Sequence, residues 1–189
     1  MTTPTRLPML DDTTRLIICQ NAETMQGCIS NATCEMLEYG CAREDVLYTA
    51  LGCFCDEMAD QGRALSRTQT ESVSAFMDAC LAEASILRRP DTGTGQCQLL
   101  PGYFSPEHHA IMSERIGEYI RIFYEFYQLY RQDEADGIHV IELTTENFCD
   151  VLDDFGHEVS PELRNAVTEY SMLALFTTTA IQEALSSPF

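Results

Sequence analysis

The chain has 189 residues, enough to bury a substantial core, and an apolar content of 45% typical of folded proteins. Its charge is lopsided: 30 acidic side chains against 11 basic ones, all arginine, give a net −19. Such a surface repels nucleic-acid phosphates and anionic lipid, the absence of lysine removes a Schiff-base nucleophile and a phosphate-loop lysine, and no apolar run is long enough to cross a membrane.

Residues 1–14 read as a mobile tail, with prolines and acids but no sustained apolar stretch, which also argues against a signal peptide. The expected location is therefore intracellular, nuclear or cytoplasmic, with the nine cysteines as thiols. Residues 15–189 are expected to form one helical domain. Arg15–Met25 is a weak helix stopped by Gly27, and Ile29–Tyr39 a short one with Met36 and Leu37 inward and Gly40 just past its end. From Arg43, the positions Val46, Leu47, Ala50, Leu51, Phe54, Met58 and Leu65 mark one face of a helix running to about Leu65. Gly52 inside it suggests a close approach by a neighbour.

Thr70 opens a helix with Val73, Phe76, Met77, Cys80, Leu81 and Leu87 inward, and residues 90–95 form a loop. An extended run over 97–104 leads to Ser105-Pro106-Glu107, an N-cap, a first-turn proline and an acid at the positive end of a dipole. The helix that follows, Ala110–Gln132, is the one the fold is expected to centre on. It carries Tyr119, Phe123, Phe126, Tyr127 and Tyr130 at helical spacing, the core of a bundle or else an interface or pocket, and Gly137 is expected to turn the chain after it. Ile138–Leu143 reads as a short strand or linker, Thr145–Phe155 as a helix, and Ser160-Pro161-Glu162 starts a last helix with Val167, Tyr170, Leu173, Ala174, Ile181 and Leu185 inward. Beyond the two Ser-Pro-Glu starts no internal repeat is evident. The expected fold is all-α, a single bundle of six to seven helices around the long aromatic-rich one.

No set of residues carries a reaction centre. His108 and His109 are adjacent, so they point about 100° apart on a helix and cannot share one ion, whereas helical ligand pairs need spacings of three or four. Asp153 and His157 have that spacing, but Gly156 lies between them. No Cys-x-x-Cys pair occurs, and Cys53 and Cys55 point apart on a helix. No catalytic residue, metal ligand or cofactor is expected.

Two stretches carry a resemblance. Cys34 through Leu51, with Met36, Leu37, Cys41, Asp45 and Leu47, and then Leu99 through Glu107, with Gly102 and Tyr103, resemble segments of aflatoxin-regulator-type fungal zinc-cluster transcription factors. The resemblance is to the helical regulatory domain C-terminal to the zinc cluster; the six cysteines and basic arm of the DNA-binding region have no counterpart in this chain. It implies a non-enzymatic module that helps control transcription of a secondary-metabolite pathway through protein contacts. The implied partner is a transcription factor or a second copy of the chain, a homodimer, with no direct binding to nucleic acid. Two other readings compete: a secreted, cysteine-stapled helical effector, and a small biosynthetic enzyme with an apolar pocket between its helices.

Overall fold

The computed structural model describes residues 10–87 and 105–186. Gly102, Tyr103, Cys97, the loop at 90–95, the extended run at 97–104 and the side chains of Leu87, Ile181 and Leu185 lie outside that description. Among the described residues every regular element is helical: α1 Asp12–Gln20, α2 Ala22–Glu38, α3 Arg43–Asp60, α4 Arg67–Leu87, α5 Pro106–Glu114, α6 Ile116–Arg131, α7 Gly137–Asp154 and α8 Pro161–Ser186. The all-α fold is as expected, with eight helices where six or seven were anticipated.

One boundary moves and one helix is added, both at breaks without glycine or proline. The first break is at Asn21 (φ −120°, ψ 35°), not Gly27, and the Asn21 amide donates to the Ile17 carbonyl at 2.8 Å. Arg115 (φ −116°, ψ 24°) likewise splits the long aromatic segment into α5 and α6. Residues 138–143 are helix rather than strand, because the Asp136 carboxylate caps α7 by accepting the His139 N–H at 2.8 Å. The α4 helix starts before Thr70 through a capping box: Ser66 Oγ accepts from Gln69 N and Gln69 Oε1 accepts from Ser66 N.

Three helix ends follow one chemistry. After α3, Gly62 takes φ 73°, its N–H reaches Ala59 O, and Arg63 N–H reaches Met58 O. After α7 the same pair of bonds forms around Gly156 (φ 86°). Both are Schellman ends. The end of α6 has the same bonds, but the left-handed position is Asp133 (φ 55°); Gly137 is already the first residue of α7.

These details reveal a repeat that the sequence pattern alone did not. Helices α1–α4 and α5–α8 correspond element by element, with all four starts offset by 94 residues: N-caps Asp11 and Ser105, breaks Asn21 and Arg115, starts Arg43 and Gly137, and also the third-helix ends Asp60 and Asp154; the second helix of the later quartet stops one residue early, at Arg131 against Glu38. The strongest sequence echo is Phe54-Cys55-Asp56, Asp60, Gly62 and Ser66, which return as Phe148-Cys149-Asp150, Asp154, Gly156 and Ser160. Core positions agree too, with Ile18 and Met112, Phe54 and Phe148, Met58 and Leu152, and Val73 and Val167 all at 0% exposure. In each quartet the end of the first helix is tied to the turn after the third: Arg63 Nη1 donates to Gln20 Oε1 at 3.1 Å, and His157 Nε2 lies 3.5 Å from Glu114 Oε2. The two Ser-Pro-Glu starts do not occupy matching positions, since Ser105 pairs with Asp11 and Ser160 with Ser66.

The described residues group into two compact units, one comprising 105–175 and the other 10–87 with 176–186. In the latter, α2 packs on α3 and α4, and the end of α8 brings Phe176 edge-on to Phe76 at 6.0 Å. In the former, α6 packs on α7. Residues 169–177 of α8 are buried without interruption, so that stretch of the helix is enclosed on every face. The most enclosed helix is therefore α8, while the aromatic α6 keeps a solvent side.

Candidate functional site

The aromatic residues of α6 form a ladder along one face. Tyr119 stacks on Phe123 at 6.2 Å, Phe123 on Tyr127 at 5.5 Å and Tyr127 on Tyr130 at 6.0 Å between ring centres. Tyr119 also meets Phe148 edge-on at 5.1 Å and tilts against Tyr170 at 4.6 Å, while its hydroxyl donates to Ser171 Oγ at 3.3 Å. Ser171 completes the chain by donating to the Val167 carbonyl at 2.9 Å. Tyr119, Phe123 and Tyr127 are buried within the chain, and Phe126 and Tyr130 are half-buried. The rings thus fill one another's space, the edge and offset contacts that aromatic cores favour.

The histidines and cysteines do not assemble a site. His108 and His109 sit in the first turn of α5, with His109 Nδ1 3.4 Å from the Ser113 hydroxyl. His157 lies beyond the end of α7, as the glycine before it requires, and its ring faces Glu114. Among the described residues no group of three or more His, Cys, Asp or Glu side chains is placed to hold a metal ion. The eight described cysteines are free thiols. Burial, then the neighbouring Cys53, Glu57 and Cys55, push the Cys28 thiol up to about 11. Burial also raises Cys55 and Cys149, the matching pair of the two quartets, although Thr70 and Arg164 respectively pull the other way. A raised thiol carries little thiolate at neutral pH, the opposite of what nucleophilic catalysis needs.

What the molecule does display is two highly exposed tyrosines on the α2–α3 hairpin. Tyr39, the C-cap of α2, is 76% exposed and Tyr48, in the second turn of α3, is 82% exposed. Cys41 and Asp45 are exposed in the same hairpin, Leu47 is half-buried, and Met36 and Leu37, expected inward, are half-buried as well. Acids surround the tyrosines: Glu35 precedes Tyr39 by one turn, and Glu44 and Asp45 precede Tyr48 by four and three residues. The single base of the hairpin, Arg43, is engaged with Asp78 on α4 at 3.0 Å. Gly52, four residues after Tyr48, has nothing within 4 Å of where a Cβ would stand, so no neighbour crowds it as its place in a helix had suggested. Sequence reasoning counted these tyrosines among helix residues without marking them; the available signal was that both break the inward apolar spacing of their helices. No family model, curated protein or solved structure matches the chain.

Proposed function

We propose that this chain is a non-enzymatic helical interaction module, acting through protein contacts in the transcriptional control of a fungal secondary-metabolite pathway. The observation that carries the contact reading is the pair of tyrosines left in water on the α2–α3 hairpin. Large exposed apolar side chains rimmed by polar residues are typical of protein-binding surfaces. The net charge of −19 favours protein over nucleic acid as the partner, because binding a phosphate backbone needs a basic face. The transcriptional and fungal parts rest on the resemblance of residues 34–51 and 99–107 to the regulatory domain of aflatoxin-regulator-type factors. On this reading the partner is a transcription factor or a second copy of the chain, and the site of action is the nucleus or the cytoplasm.

The test is genetic and biochemical together. Removing the chain from its native cell is expected to change transcript levels of one biosynthetic pathway, while the purified protein leaves promoter DNA of that pathway unshifted at moderate salt. Unchanged transcripts, or tight sequence-selective DNA binding, would overturn the proposal.

A further inference from the structure

We infer that the exposed hairpin surface formed by Tyr39, Tyr48 and the gap at Gly52 docks an Arg- and Lys-rich helical segment of a partner protein. The inference rests on the reading of the chain as a contact module and gives that module a location and a partner chemistry. A single exposed tyrosine needs no explanation. The tandem repeat supplies an internal comparison that makes these two informative. At the matching positions of the second quartet, Tyr39, the C-cap of α2, is replaced by Gln132, the C-cap of α6, and 94 residues on Tyr48 is replaced by Glu142 and Gly52 by Glu146, all exposed. The same scaffold therefore takes ordinary solvated polar side chains at these places. Only the first quartet carries aromatic rings there, with a bare stretch of helix backbone beside them.

The spacing puts Glu44, Asp45, Tyr48 and Gly52 on one side of α3, at intervals of three and four. A partner helix can approach the backbone closely at Gly52 and meet the Tyr48 ring one turn away. Charge selects what that helix is. The hairpin's acids outnumber its one arginine, which Asp78 already engages, so a cationic segment gains both long-range attraction and a place for its charge over the tyrosine faces. The molecule displays that pairing elsewhere: the Arg115 guanidinium sits 3.6 Å above the ring of Phe155, an exposed aromatic of the second quartet. A second copy of this chain is a poor occupant, because it brings another −19 to the contact.

The experiment is fluorescence anisotropy with a labelled amphipathic Leu/Arg/Lys peptide and its Leu/Glu counterpart, at physiological salt. The wild-type chain is expected to bind the basic peptide and not the acidic one. Tyr39→Ser with Tyr48→Ser, which leaves the net charge untouched, is expected to weaken binding about ten-fold or more with unchanged helicity. Glu142→Gln with Glu146→Gln, which removes two charges from the second quartet, is expected to leave affinity unchanged. Equal loss in both double variants would reduce the binding to bulk charge and overturn the inference. So would equal affinity of wild type and the tyrosine variant, or no binding of the basic peptide. Any of these can occur while pathway transcripts still depend on the chain, so the surface and the regulatory role fail separately.

Discussion

Asp133 is the residue whose conformation most opposes its chemistry. It holds φ 55° at the end of α6, where the matching ends of α3 and α7 use Gly62 and Gly156. A left-handed non-glycine residue costs about 1 kcal/mol, so Asp133→Gly is expected to raise stability by about 0.5–1 kcal/mol in denaturant unfolding, and Gly156→Ala to lower it by a similar amount. Two other aspartates contribute to the acid limb. Side-chain and backbone bonds from Thr14 hold the Asp11 carboxyl below its ordinary 3.8, and the His139 N–H does the same for Asp136. Each folded pKa lies below the unfolded one, so the stability they add is present above the unfolded value and is lost as pH falls through the folded one. Asp11→Asn with Asp136→Asn keeps the cap acceptors without titrating; the double variant is expected to show a shallower fall in melting temperature below about pH 4.

At the scale of elements, most helices were legible because apolar residues recur at three and four along them, and α3 and α7 keep that period without exception in their cores. Helix starts were legible at the serine caps Ser105 and Ser160 and helix ends at Gly40 and Gly156, whereas Gly62 was passed over and α3 was carried on to about Leu65. The breaks at Asn21 and Arg115 left no such mark, since each is a single residue leaving the helical region while apolar spacing continues across it. The Ser66–Gln69 box was readable by rule, yet the apolar pattern of α4 starts only at Val73 and drew the boundary inward. Both quartets depend on their third helix for a core ring and on a serine for entry into the fourth. Ser160 Oγ accepts from Leu163 N at 3.1 Å, so Ser160→Ala is expected to cost about 1 kcal/mol. Phe148→Ala, which empties the space between Tyr119 and its neighbours, is expected to cost about 3–5 kcal/mol. Urea titrations of the two variants check both values.

At the scale of the molecule, the repeat escaped sequence reading because identity is concentrated between residues 54 and 66, while the rest of the match is one of size and burial. Met25 and Ile29 of the first quartet become Tyr119 and Phe123 in the second, which hides the kinship and made α6 look singular. The aromatic ladder drew attention for the same reason, whereas the hairpin tyrosines became visible only through their exposure. Charge acts over the same scale. With a net −19, mutual repulsion opposes compaction, so the melting temperature is expected to rise when sodium chloride is increased from about 10 mM to about 500 mM, as the screening length shortens. A fall over that range would show that favourable ion pairs outweigh repulsion.

The contact between Phe76 and Phe176 joins residues a hundred positions apart. On the ribosome, α4 is finished long before the ring that covers it has been translated. Throughout that interval a nascent first quartet offers the bare Phe76 face to chaperones, to proteases and to other unfinished chains. A shortened transcript that stops before α8 would keep that face open for good. For any laboratory wishing to produce the first quartet alone, the boundary to choose is therefore not the gap between the repeats: the last turns of α8 have to travel with it, on a linker or as a separate peptide.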